Sequence, residues 1–119
     1  MAAAQGDADS QCNLGYCLLK GRGVKEDAQQ AVKWFREAAE LGHAEAQLGL
    51  SHCFVFGLGV SKNKTEAYAW CSLAAENGST QAAQIRGLLD KELSTQALEQ
   101  AQARARKLHE EIQARKEKN

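Results

Sequence analysis

The sequence repeats itself at a constant offset of 36 residues, and no other property limits its fold as tightly. Without a gap, that offset pairs Gly6 with Gly42 and Gly78, Ala8 with Ala44, Gln11 with Gln47, Leu14 with Leu50, and Cys17 with Cys53. It goes on to pair Gly21 with Gly57, Gly23 with Gly59, Val24 with Val60, Ala31 with Ala67, Trp34 with Trp70, and Ala38-Ala39 with Ala74-Ala75. Two full units at one period mark a stack of supersecondary repeats, each too small to cover its own apolar face.

The composition says what those units are made of. Proline is absent and aromatics make up only 6% of 119 residues, while Ala, Gln, Glu and Leu abound. Helix formers dominate and no run of β-branched residues suggests a strand. An all-α fold is expected. Within a unit, helix A runs from about Asp7 to Leu19 with Leu14 and Leu18 on its apolar face. Gly21 supplies a left-handed residue that ends it, and Gly23 keeps the turn permissive. Helix B starts near Asp27, an N-cap acceptor with Gln30 three residues on; Asn63 and Glu66 repeat that box. Its apolar stripe is either Val32, Phe35 and Ala39 or Ala31, Trp34 and Ala38, and Gly42 ends it. Gly15 and the paired alanines let helices approach closely. Trp34 and Trp70, each able to bury about 150–250 Å², are expected to anchor the two hairpins.

After Gly78 the pattern weakens. Ala83 stands where Gln is expected and Arg86 where Leu is expected. The segment from Thr80 to about Glu92 still reads as a helix A, with Ile85, Leu88 and Leu89 apolar, that closes the stack. Ser94 N-caps a last helix from about Thr95 to Lys116. Its apolar positions Leu98, Ala101, Ala105, Leu108 and Ile112 follow a heptad spacing. That seam fits either a cap folded onto the last repeat or a homodimer with another chain's helix. The expected division is a repeat domain over 1–92 (repeats about 6–41 and 42–77, a partial third 78–92) and a C-terminal amphipathic helix over 93–119.

The phrase A-A-x-x-G-x-A-x-A-Q-x-x-L-G-x-x-Y-x-x-G-x-G-V, followed by A-x-x-W-F-x-x-A-A, resembles the SEL-1-like repeat. That family is an α-solenoid related to the tetratricopeptide repeat. Gly42, Ala44, Ala46, Gln47, Leu50, Gly57, Gly59, Val60, Ala67, Trp70, Ala74 and Ala75 carry the likeness, which covers roughly residues 2–78. Lys25 and Ser61 stand where the family often has proline, Ser51 replaces a glycine, and Leu18 and Phe54 replace a tyrosine. The last segment also resembles, through Ser94, Leu98, Ala101 and Gln102, the helix that often follows the final repeat in bacterial relatives. The resemblance implies an α-α superhelix whose helix A residues line a concave face. Positions there that packing does not need are Asp9, Asn13, Tyr16 and Lys20, with Glu45, Gly49, His52 and Phe56 in the second unit. The implied function is a protein–protein adaptor that binds a peptide or protein partner with this groove.

Other chemistry finds little footing. Formal net charge is zero, which denies the chain the basic footprint of a nucleic-acid binder. No apolar run approaches the roughly 20 residues of a membrane span, and Met-Ala-Ala-Ala has neither the basic nor the apolar region of a secretory signal. A cytoplasmic location is expected, and Cys12, Cys17, Cys53 and Cys71 fit small buried hydrophobes there better than disulfides. Gly21-Arg22-Gly23 and Gly57-Leu58-Gly59 lack the strand and the Lys-Ser/Thr of a phosphate loop. His52 and Cys53 are neighbours on a helix, so one of them faces away from any shared metal. Ser61-Lys62-Asn63-Lys64 spells the S-x-x-K of penicillin-recognising enzymes. A cysteine-rich branch of the repeat family is linked to β-lactam binding, but its cysteines fall where this chain has Ala39 and Gln47. No cofactor, metal or enzymatic activity is expected.

Overall fold

The computed structural model describes residues 7–21 and 27–118; Gly6, Gly23, Val24 and Lys25, which were given places in the repeat, lie outside the described residues. Six helices follow one another: α1 (Ala8–Lys20), α2 (Ala28–Glu40), α3 (Ala44–Phe56), α4 (Lys64–Glu76), α5 (Thr80–Glu92) and α6 (Thr95–Lys118). The bounds of α1, α3 and α5 are displaced from one another by 36 residues, and so are those of α2 and α4.

Side chains that satisfy the free N–H groups of the first turn explain this regularity. Asp7, His43 and Ser79 cap α1, α3 and α5; Asp27 and Asn63 cap α2 and α4; Ser94 caps α6. The cap of α3 is unusual. His43 Nδ1 accepts from Ala46 N–H at 3.2 Å while Nε2 lies 2.6 Å from Asp9 Oδ1 on α1. That pair of contacts selects the tautomer with hydrogen on Nε2. His43 thereby ties the first unit to the second, whereas His109 is exposed.

Each hairpin closes in the same way. Gly21 and Gly57 end α1 and α3 in the left-handed region. Asp27 N–H then donates to Leu18 O at 2.8 Å, and Asn63 N–H to Phe54 O at 2.9 Å. Gly59 is needed for two reasons. Its φ is +72°, and a Cβ there would stand 2.4 Å from Ala28 O, so the second linker rests directly on the start of α2.

The core is the shared face of these hairpins. On α2 both expected stripes are buried except for Trp34: Ala31, Val32, Phe35, Ala38 and Ala39 turn inward. Phe35, not Trp34, anchors the first unit. Its ring lies against Gly15 of α1 and Gly49 of α3, where added Cβ atoms would stand 2.9 and 2.8 Å away. In the second unit Trp70 is fully buried, because α6 lies over it. The same residue at the same repeat position thus has two environments, and the covering helix decides which.

α6 runs parallel to α4: Glu66 pairs with Arg104 at 2.7 Å, and Trp70 lies beside Leu108 and Ile112. Further along, Leu73 and Asn77 neighbour Ile112 and Lys116. The heptad seam is spent here. Ala101, Leu108 and Ile112 are buried in the chain's own core, with Leu98 and Ala105 packed against it. A homodimer through this seam would first have to strip α6 from α4. By contrast, α5 and α6 make almost none of the contact that joins the helices of the other two hairpins.

The buried Gln47 side chain is tied into the stack. Gln47 Nε2 donates to Ala39 O at 3.1 Å, and Asn77 Nδ2 donates to Gln47 Oε1 at 3.2 Å, linking the ends of α2 and α4 to the start of α3. The four cysteines are free thiols, with Cys12, Cys53 and Cys71 buried and Cys17 half-buried. Burial pushes the Cys53 thiol up to about 11, and burial with the Glu45 and Asp9 charges pushes Cys12 up to about 12.

Candidate functional site

Helices α1, α3 and α5 share one register, so each residue of one has an equivalent on the next. Tyr16, His52 and Leu88 form one row across the three helices, and Lys20, Phe56 and Glu92 form the row one turn beyond. These rows contain both of the large hydrophobic side chains that are exposed among the described residues, Phe56 and Leu88, each at 61%.

The first-unit part is ordered by the core beneath it. The Tyr16 ring stands edge-on to Phe35 with centroids 4.8 Å apart and planes at 75°. Its hydroxyl donates to Glu45 O at 3.4 Å, and the Lys20 ammonium lies 5.9 Å from the ring centroid. Burial, helped by Cys12 and Glu45, pushes the phenol well above its usual range, so Tyr16 serves as a neutral donor. In the second unit His52 and Phe56 occupy the equivalent pair of positions, ring centroids 6.4 Å apart. Burial lowers the affinity of His52 for a proton, which leaves a neutral imidazole beside an exposed phenyl ring near pH 7.

The remaining expected residues divide. Asn13 and Glu45 are exposed on the same face, and Lys20 is exposed at the end of α1. Asp9 is exposed but engaged by His43. Gly49 is not part of the face. It is buried under the Phe35 ring, a role hidden because its equivalent in the first unit, Asn13, is exposed. Leu88, expected on the apolar face of α5, is exposed in this row instead. The signal was present: it stands 36 residues after His52.

The S-x-x-K phrase does not form one helical face. Ser61 is in the linker, while Lys64 opens α4 and its ammonium pairs with Glu92 at 2.8 Å. Among the described residues, no three His, Cys, Asp or Glu side chains gather where they could hold a metal ion. Within the same residues, no helix is long and apolar enough to cross a membrane.

Comparison with known proteins agrees with the architecture. The family model for the Sel1 repeat matches residues 8–43 and 44–79, a phase two residues later than the division at Gly6 and Gly42. The crystal structure of a protective antigen of uropathogenic Escherichia coli strains, described as displaying an SLR fold, superposes with a TM-score of 0.89 at 38% identity. A Sel1 repeat protein from Oxalobacter formigenes superposes with a TM-score of 0.72 at 39% identity. These matches cover 98% and 74% of this chain, and each spans 26% of the other protein. No curated protein sequence matches significantly. With both repeat units matched by the family model over most of the chain, the protein belongs to the Sel1 repeat family.

Proposed function

We propose that this chain is an interaction scaffold that takes a partner polypeptide across the exposed faces of α1, α3 and α5. Sel1 repeat proteins are generally protein-interaction scaffolds. The observation that carries the reading for this chain is the position of Phe56 and Leu88. Both are 61% exposed, and both lie in the helix A rows beside Tyr16 and His52 rather than scattered over the surface. Exposed aromatic and aliphatic side chains flanked by polar groups are the usual anchors of a peptide groove. Asp9, Asn13, Lys20 and Glu45 surround them as a polar rim, and the superhelix implied by the repeat turns this face inward as a groove.

The test is a selection of peptides from a displayed library against the full chain. Anchors of this kind cost more than about 1 kcal/mol each when truncated, so replacing both Phe56 and Leu88 by Ser weakens selected peptides at least about tenfold. Peptides that bind the F56S/L88S variant as tightly as the parent chain would place recognition on another face.

A further inference from the structure

The third unit departs from the repeat at two positions that pack the core of the second. Arg86 stands where the first two units have Leu14 and Leu50, and Arg106 stands 36 residues after Trp70. Leu50 and Trp70 are fully buried. α5 and α6 are joined by two residues only and do not close on one another as the other hairpins do, and a cleft of about 520 Å³ lies between them over α4, with both arginines in its lining. Its size is that of a small-molecule site, about 300–1,000 Å³.

The lining of the cleft is ordered along its length. Tyr68 and Ser72 form the floor; each residue is only 7% exposed, and neither hydroxyl has a hydrogen-bond partner among the described residues. With no partner in the chain, both hydroxyls are free to donate to a group that enters the cleft. Arg86 from α5 and Arg106 from α6 stand on opposite walls, and neither has a carboxylate within ion-pair distance among the described residues. One helical turn beyond Ser72 is Glu76, and one turn beyond Arg106 is Glu110, so both carboxylates collect at the same end. Four residues of helix displace the backbone of Glu76 and Glu110 by about 6 Å along α4 and α6 from that of Ser72 and Arg106.

We infer that this cleft binds a small zwitterion. An oxyanion sits between Arg86 and Arg106, accepting from Tyr68 and Ser72, and a cationic group about one helical turn along the cleft faces Glu76 and Glu110. The site is separate from the exposed rows of α1, α3 and α5 and needs none of their residues.

The test is a titration of the isotope-labelled full chain, followed by backbone amide shifts at constant ionic strength. The probes are 4-aminobutyrate, phosphoethanolamine and butyrate, with sodium chloride as the control. Saturable shifts centred on Ser72, Arg86 and Arg106 are expected with a zwitterion and not with chloride. The first two probes distinguish a carboxylate from a phosphate as the oxyanion. Arg106 is exposed, so R106Q leaves the fold intact, and it is expected to weaken zwitterion binding at least about tenfold, the effect of losing a charge-assisted hydrogen bond. The double variant E76Q/E110Q is expected to bring 4-aminobutyrate down to the affinity of butyrate. No saturable shifts with either zwitterion, shifts spread over all surface cations, or unchanged binding by R106Q would each overturn the inference. Butyrate binding the parent chain as tightly as 4-aminobutyrate would do the same.

Discussion

The Phe35 ring provides the sharpest test of how the units are held together. It fills the space between Gly15 and Gly49, where Cβ atoms would meet ring carbons at 2.9 and 2.8 Å. The equivalent positions one unit on are Ser51, Cys71 and Ile85. There Ser51 Oγ lies 3.1 Å from Cys71 Sγ, and Ile85 packs against the core. One junction is built small–large–small and the next small–small–large, so side-chain volume has moved from one helix to its neighbour. Phe35→Cys alone leaves a cavity, and the range for truncating a buried Phe is about 3–5 kcal/mol. Gly49→Ile alone drives new carbons into the ring at a cost of about 1–3 kcal/mol, which the better helix propensity of Ile, about 0.5 kcal/mol, does not cancel. In the Phe35→Cys background the same Ile fills the vacated space and recovers about 1.5–3 kcal/mol. The expected coupling is therefore at least about 2 kcal/mol, at the upper end of what side chains in contact show. With a urea slope of about 1–3 kcal/mol/M, it appears as a midpoint difference of about 1 M in unfolding curves followed by circular dichroism. If Gly49→Ile cost the same in both backgrounds, the reciprocal packing of the two junctions would be wrong.

The other expectations are simpler. Gly59→Ala combines a +72° φ with a Cβ 2.4 Å from Ala28 O. It should cost more than the roughly 1 kcal/mol of a left-handed alanine alone, read as a fall in the unfolding midpoint. His43→Ala removes the N-cap of α3 at about 1 kcal/mol, and His43→Asn should restore most of that loss, since Asn is a good cap. The folded His52 binds protons less readily than the unfolded side chain, whose reference value is 6.5. The unfolded state therefore takes up more protons below that value, and the stability due to His52 falls as pH drops through it. His52→Gln should flatten the dependence between pH 7 and 5 in denaturant titrations. Timed alkylation with iodoacetamide should modify half-buried Cys17 first, while Cys12 and Cys53, buried and with raised thiol pKa values, react last by mass spectrometry.

What could be read from the sequence and what could not separate along one physical line. Caps and turns are local: Asp27, Asn63, Ser94, Gly21 and Gly57 need only neighbours within a few residues, and each ends or starts a helix where its type says it should. Burial is not local. Trp34 and Trp70 share a repeat position, yet only Trp70 has α6 over it, so identical residues part company. The heptad on α6 fixes an apolar stripe but not its partner, and α4 of the same chain takes it. Gly49 reads as free when compared with Asn13 and becomes essential once Phe35 is seen to need its missing side chain. The candidate site was half legible for the same reason: Tyr16, His52 and Phe56 follow from the repeat, while the exposure of Leu88 depends on how α5 turns against α4. Departures from the repeat carry information of a different kind. Arg86 and Arg106 stand 36 residues after Leu50 and Trp70, and both line a cleft between α5 and α6 together with Tyr68, Ser72, Glu76 and Glu110. In a fold whose regular positions are consumed by stacking, the irregular ones are where a specific ligand can be recognised.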